Sequence, residues 1–299
     1  MTRAVIISNP NASRADAGKL GQAIARLRAG GLTVDVAATR EAGHGAELAR
    51  AALDDGAELL IASGGDGTIM EIASVVAGTG RPIGLLPAGT GNRLADNLHI
   101  PWGPVAAAET ILTMQPRAID IGRLESPDMA PRYFAVAGGC GFDAEVMFRT
   151  TTSAKRTWGS GAYFATAIRM ALAMPRSRVR VEVDGVAIER EAVMVLLANC
   201  GTILPIGHTF SPHIAPDDGL LDVMVLNARS FLGAWRMAYA LALGDSSRHP
   251  DIEIVRGRVV KIEAEPGMAV QGDGELCGRT PLTAELLVGG LTVLAPRAR

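Results

Sequence analysis

Two rhythms of apolar and polar positions divide this sequence. Up to Met114, short apolar runs alternate with segments whose apolar residues recur at three- and four-residue spacing. The runs Ala4–Ser8, Leu32–Ala38, Glu58–Ala62 and Pro82–Leu86 are short and rich in Val, Ile and Leu, the composition of buried strands. Ala17–Leu27, Ala46–Leu53, Thr68–Ala77 and Val105–Met114 carry the helical period instead. Strand and helix in alternation make βαβ units, so an α/β domain with a parallel sheet is expected over residues 1–119.

Beyond Ile119 the rhythm changes. Strand-like runs follow one another at Tyr133–Ala137, Val179–Val183, Ala192–Ala198, Leu221–Leu226, Val259–Ala264 and Leu291–Leu294. Helical spacing returns only near Tyr163–Met174 and Phe231–Leu243, and Asp184-Gly185 and Asp273-Gly274 supply hairpin turn chemistry. A mostly antiparallel second domain is therefore expected over residues 120–299.

Composition narrows the class. Of 299 residues 48% are apolar, enough for two cores, and the net charge of -2 argues against a general nucleic-acid binder. Cys140, Cys200 and Cys277 are too scattered for a metal knuckle and fit a reducing, cytoplasmic setting. The N-terminal apolar run is too short for a signal peptide, and no stretch has the ~20 apolar residues of a membrane span.

The sharpest chemical signal is Ser63-Gly64-Gly65-Asp66-Gly67-Thr68, set between a buried strand and a helix. Glycines there let the backbone approach a phosphate, and the following helix offers the same anion its positive end. Asp66 suits a Mg²⁺ that bridges phosphate oxygens, and Thr68 offers a hydroxyl. A tight turn capped by Asp66 would also want glycine. A second glycine-rich loop, Pro87-Ala88-Gly89-Thr90-Gly91-Asn92, follows the next strand and should reach the same sheet edge, where ligands bind. There is no Gly-x-x-x-x-Gly-Lys-Ser/Thr loop. Gly139-Cys-Gly141-Phe-Asp-Ala144 fits the dinucleotide pattern only loosely and reads as a structural turn.

Taken with Ser211-Pro212, Asp217-Asp218-Gly219 and Asp273-Gly274-Glu275, these motifs run nearly the whole chain, and the sequence resembles the diacylglycerol kinase catalytic-domain family, which includes bacterial lipid kinases and the sphingosine and ceramide kinases. The resemblance implies an ATP- and Mg²⁺-dependent lipid kinase whose second domain is a β-sandwich and whose lipid lies between the domains. Asn9, Thr39, Gly64, Gly65, Asp66, Gly67, Thr68, Ile69, Met70, Glu71 and Thr90 match nucleotide-contacting positions. Glu275 matches the catalytic base, with Asp273 beside it and Asp66 at the phosphates. Asp218, with the carbonyls of Ala215 and Leu220, matches a structural Mg²⁺ site. Read without the resemblance, Asp-Gly-Glu is more often an exposed hairpin, and Asp217-Asp218-Gly219 a solvated turn.

Arg93 stands where many members carry Asp, and Met70 where Asn is common. Arg93 removes one acidic contribution to a metal site, for which Asp120 or Asp96 would have to compensate. Arg149–Val181 holds Arg149, Lys155, Arg156, Arg169, Arg176, Arg178 and Arg180 without an acid, interleaved with Trp158, Tyr163 and Phe164. That mixture suits transient docking on an anionic membrane surface as well as it suits a solvated face. The expected partner is thus a lipid alcohol, with oligomeric state open. An NAD kinase shares the first loop, but its Asn-Glu pair has no counterpart here. A non-catalytic lipid or nucleotide sensor is favoured only by Arg93.

Overall fold

A computed structural model describes residues 2–149, 176–203, 213–228, 230–242 and 249–297. Contacts divide the chain into two units, Met1–Ile121 with Leu287–Arg299, and Gly122–Leu286. In the first, β1 (Arg3–Ser8), β2 (Thr33–Ala38), β3 (Leu59–Gly64) and β4 (Pro82–Pro87) pair in parallel in the order β2-β1-β3-β4. Helices α1 (Ala17–Ala29), α2 (His44–Asp54), α3 (Asp66–Val76), α4 (Arg93–Asn97) and α5 (Pro104–Thr113) fill the crossovers. Helix α1 packs on α5 and α2 on α3, so both faces of the sheet are covered. This is why Ile6, Ile7, Leu60 and Ile61 are buried in succession rather than alternately. From β1 the chain runs outward to β2, then back across to β3. The loops after β1 and β3 therefore diverge at a switch point, where sheets of this kind open a ligand crevice.

The second unit is antiparallel, as its rhythm predicts. After β5 (Pro116–Ser126), which starts in the first unit, come β6 (Met129–Phe134), β7 (Ala137–Gly141), α6 (Phe142–Arg149), β8 (Ser177–Val183), β9 (Val186–Ala192), β10 (Met194–Ala198) and β11 (Leu221–Leu226). Then follow α7 (Phe231–Ala242), β12 (Ile252–Gly257), β13 (Val259–Glu265), β14 (Ala269–Gly272), β15 (Glu275–Arg279) and β16 (Leu282–Leu294). One sheet has the order β12-β11-β10-β7-β14-β15; the other runs β16-β13-β8-β9. Val179, Val181, Val260 and Ile262 of one sheet share a buried core with Cys140, Val195, Val223 and Val270 of the other. That is sandwich packing.

Two expectations change. Tyr133–Ala137 is not one strand: β6 ends at Phe134 and β7 begins at Ala137. The intervening backbone is turned aside because its N–H groups bind the Asp273 carboxylate. Leu291–Leu294 ends β16, and the residues from Leu287 onward return to the first unit instead of completing residues 120–299 as one domain. There Thr292 and Val293 pair in parallel with Pro82 and Ile83, which puts a partner on the otherwise open side of β4. The helix expected at Tyr163–Met174 and the Ser211-Pro212 motif lie outside the described residues.

Candidate active site

In the first unit, loops from the carboxyl ends of β1, β3 and β4 meet. The Asn9 N–H donates to the Ser63 carbonyl at 2.8 Å, the Ala88 N–H to the Gly64 carbonyl at 2.8 Å, and the Arg14 N–H to the Ala88 carbonyl at 2.9 Å. Ser13 and Thr90 share a hydroxyl hydrogen bond of 2.7 Å. The two glycine-rich loops touch backbone to backbone: a Cβ on Gly89 would lie 2.5 Å from the Gly65 Cα. Asn92, in the left-handed region at φ 50°, closes its own loop by accepting from the Gly89 N–H and donating to the Gly89 carbonyl. A side chain at Gly89 has no room between these loops.

Asp66 does not cap its own helix. Gly65 is the N-cap of α3 and contributes no side-chain hydrogen bond. The Asp66 carboxylate instead accepts from the Leu94 N–H, 3.3 Å away in the first turn of α4. Burial pushes this carboxyl above the usual carboxylate range, against the opposing pull of that N–H and of the Arg93 charge. Asp66 Oδ2 and Arg93 Nη2 both lie within 4 Å of where a Gly91 Cβ would stand. Arg93 also donates to the Gly91 carbonyl and approaches Asp96 at 3.7 Å. Asp96 is further engaged by the Trp102 indole N–H, and Asp120 accepts from the Gly289 N–H at 2.7 Å.

The other expected nucleotide residues divide by surroundings. Thr68 is buried, with its hydroxyl 3.4 Å from Asn9 Nδ2. Gly64 leaves room for that hydroxyl, and Thr39 is anchored by its N–H to the Ser8 carbonyl. Gly67 and Met70 are half-buried, whereas the Ile69 side chain is wholly in the core and its N–H is spent on the Gly65 carbonyl. Glu71 has a job the sequence does not reveal: its two oxygens accept from the N–H groups of Gly43 and Gly45 at 2.7 and 2.8 Å, capping α2 from a neighbouring helix.

In the second unit, Asp273 (φ 48°) and Gly274 (φ 82°) form the left-handed turn of the β14–β15 hairpin. The Asp273 carboxylate accepts from the N–H groups of Ala135, Val136 and Ala137 at 2.7–3.0 Å. A carboxylate so bonded is an anchor for the turn. Glu275 is exposed, and its partner is Arg132 at 2.6 Å. The turn is also held by Gln271, which accepts from the Gly274 N–H, and behind Gln271 stands Asp143. Neither residue carries a sequence signal of this role. Gly139 and Gly141 lie in β7, at φ 144° and 116°, where a Cβ would strike the carbonyls of Val195 and Val193. They serve strand packing, in keeping with the structural reading of that motif. Burial, with the Asp143 charge adding, pushes the Cys140 thiol up to about 12, which leaves it inert.

Asp218 Oδ1 accepts from the Leu220 N–H at 3.0 Å, and nearby Asp222 keeps a buried Oδ2 without a hydrogen bond. A carboxylate with main-chain carbonyls is a hard oxygen donor set that fits Mg²⁺. Arg256, bonded to Asp222 at 2.9 Å, also brings positive charge there. Among the described residues no group of three or more His, Cys, Asp and Glu is placed to hold a metal, and no helix is long and apolar enough to cross a membrane. Most of Arg149–Val181 lies outside the described residues. Its described end favours the solvated face: Arg176 pairs with Glu191, and Arg178 and Arg180 with Glu189, across β8 and β9.

Comparison with known proteins bears on both units. Residues 3–124 match the diacylglycerol kinase catalytic domain, and residues 137–295 the YegS C-terminal NAD kinase beta sandwich-like domain. A candidate diacylglycerol kinase from Bacillus anthracis str. Sterne superposes with a TM-score of 0.80 at 26% identity, covering 98% of this chain and 97% of its own. A diacylglycerol kinase of Staphylococcus carnosus is 27% identical over 200 residues, 67% of this chain and 63% of that protein. The Staphylococcus aureus diacylglycerol kinase is 26% identical over 199 residues, 67% of this chain and 61% of the relative. The match thus spans less than two thirds of either staphylococcal protein. Two domain matches in the expected order, over a fold shared nearly end to end, place this chain in the diacylglycerol kinase catalytic-domain family with a YegS-type C-terminal domain.

Proposed function

We propose that this chain transfers the terminal phosphoryl group of ATP to the hydroxyl of a lipid alcohol, with diacylglycerol as the first acceptor to test. The observation that carries the reading is the backbone contact of two glycine-rich loops beside a mostly enclosed Asp66, at the edge of a parallel sheet where a helix begins. The names of the staphylococcal relatives supply the acceptor class. On this reading the Gly64–Thr68 loop, with Asn9 and Thr90, binds the phosphates. Asp66 would hold Mg²⁺ at the nucleotide, and Asp218 with Ala215 and Leu220 a structural Mg²⁺. An ion bound at Asp66 would neutralise charge on the phosphate oxygens.

Glu275 takes the proton of the attacking hydroxyl as the new O–P bond forms and the bond to the leaving ADP breaks. Between the neighbouring carboxylates, Glu275 suits this better: Asp273 spends its oxygens on three N–H groups, while Glu275 is exposed. The test is labelled ATP with Mg²⁺ and dispersed diacylglycerol, a mixed lipid extract, or NAD, followed by identification of the labelled product. Labelled lipid from wild type, with turnover roughly 10² to 10⁴ lower in Glu275→Gln and nucleotide affinity unchanged, is the expected result. Label on NAD alone, or normal turnover of Glu275→Gln, would overturn the acceptor class or the base.

A further inference from the structure

The hairpin that carries Glu275 is held by a buried polar side chain. Gln271 lies on β14, opposite Gly139 of β7, and is 5% exposed. Its Oε1 accepts from the Gly274 N–H at 2.9 Å, and its Nε2 donates to Asp143 Oδ2 at 3.0 Å. The orientation of that amide is forced. Gly274 offers only a donor, so the carbonyl end of Gln271 must face the turn, and the NH₂ end must then find an acceptor. Asp143, at the start of α6, is that acceptor, and its other oxygen takes the Ala144 N–H at 2.7 Å. Between Val270 and Gln271 the β14–β15 pairing slips by one residue. Such bulges re-aim side chains.

We infer that Asp143 and Gln271 are positioning residues for the phosphoryl-transfer base: Asp143 orients the Gln271 amide, and Gln271 fixes the turn from which Glu275 emerges. Two groups grip the turn from different sides, the Asp273 carboxylate on the backbone of residues 135–137 and the Gln271 carbonyl on Gly274. Glu275, next in the chain, reaches the surface partner Arg132. Its direction is set by the turn. The choice of groups points the same way. An enclosed carboxyl is unfavourable, and a packing role at position 143 would be filled more stably by an apolar side chain. An acceptor that cannot rotate into a donor is what a buried glutamine needs to hold a single orientation.

The inference rests on the lipid kinase reading, and its test separates the two. Asp143→Asn leaves an amide that can accept from Ala144 only by turning its NH₂ toward that of Gln271. Gln271→Glu sets two carboxyl groups against each other. With both changes together, the new amide at position 143 donates to the new carboxylate at position 271. That carboxylate still accepts from Gly274, so every hydrogen bond is restored. Each single variant is expected to lose about tenfold or more in kcat, since small displacements of a reacting group are costly, with KM for ATP unchanged. The double variant should return to within about threefold of wild type. In a Glu275→Gln background the same changes should alter turnover less than about twofold, which a general loss of structure would not reproduce. Amide exchange at Gly274 should be fast in the single variants and slow in wild type and the double. That readout needs no activity, so a chain that phosphorylates no lipid would still reveal whether the relay exists. Wild-type kcat in both single variants, a double no better than the worse single, or undiminished effects in the Glu275→Gln background would each overturn the inference.

Discussion

Asp66 is a mostly enclosed carboxylate whose own helix is capped by the glycine before it, and its hydrogen bond goes to a different helix 28 positions along the chain. A charge placed so is unfavourable unless something positive comes to meet it, which is the condition a nucleotide-bound cation would satisfy. Because its folded pKa is raised, Asp66 weakens the fold at neutral pH, and the penalty is relieved as pH falls through that folded pKa. Asp66→Asn keeps an oxygen for the Leu94 N–H and removes the charge. The variant is therefore expected to melt at or above the wild-type temperature at pH 7, with the difference vanishing in acid, while phosphoryl transfer is lost. Differential scanning calorimetry at several pH values alongside turnover checks both halves. A variant destabilised at neutral pH would mean that the charge supports the fold. At this scale the Gly-Gly-Asp-Gly-Thr residues were legible, because glycine spacing and a helix start are local signals. That the second loop reaches the same edge was legible too, but not the individual contacts it makes: nothing in the spacing from 66 to 94 announces the Leu94 N–H, the Arg93 charge or the backbone approach of Gly89.

Helix α2 shows the same dependence between elements. Its N-cap, Gly43, sits at φ 87° and has no side chain with which to bind the first-turn N–H groups. Glu71 of α3 performs that capping from outside, on Gly43 and Gly45. Replacing Glu71 with Ala should lower stability by about 1–2 kcal/mol, the usual loss for a helix cap, and Glu71→Gln should recover part of it. Urea unfolding curves with unchanged slope would measure this, and a stability equal to wild type would leave Glu71 to the nucleotide alone. In the first unit α1, α2, α3, α5 and strands β1–β4 were readable because each satisfies one period, whereas the five residues of α4 are too few to show one. In the second unit β9, β12, β14 and β15 were not. β9 reads Val-Ala-Ile-Glu-Arg-Glu-Ala and is mostly exposed, its ion pairs to β8 replacing the apolar alternation that marks a strand. β14 and β15 have four and five residues with a bulge between them, too short and irregular for any period to show.

At the scale of the whole chain, the least legible feature is the return of the last strand. An apolar run such as Leu291–Leu294 signals a strand but not its neighbour, and a neighbour some 200 positions earlier is set by topology. The first unit is incomplete without it. Leu291 and Val293 are buried, the Gly78 N–H donates to the Gly290 carbonyl at 2.7 Å, and buried Asp120 accepts from the Gly289 N–H. Removing residues 287–299 would expose one side of β4, strip Asp120 of that donor and leave a strand edge open to other chains. A fragment of residues 1–121 alone is therefore expected to be far less stable than the same fragment joined by a flexible linker to residues 287–299, and to aggregate. Circular dichroism melts and analytical ultracentrifugation of the two fragments at equal concentration decide it. Equal, cooperative unfolding of both would mean that the parallel sheet is self-sufficient. A linked fragment that alone folds should also bind ATP, because every loop around Asp66 lies within it, yet transfer nothing, because Glu275 does not.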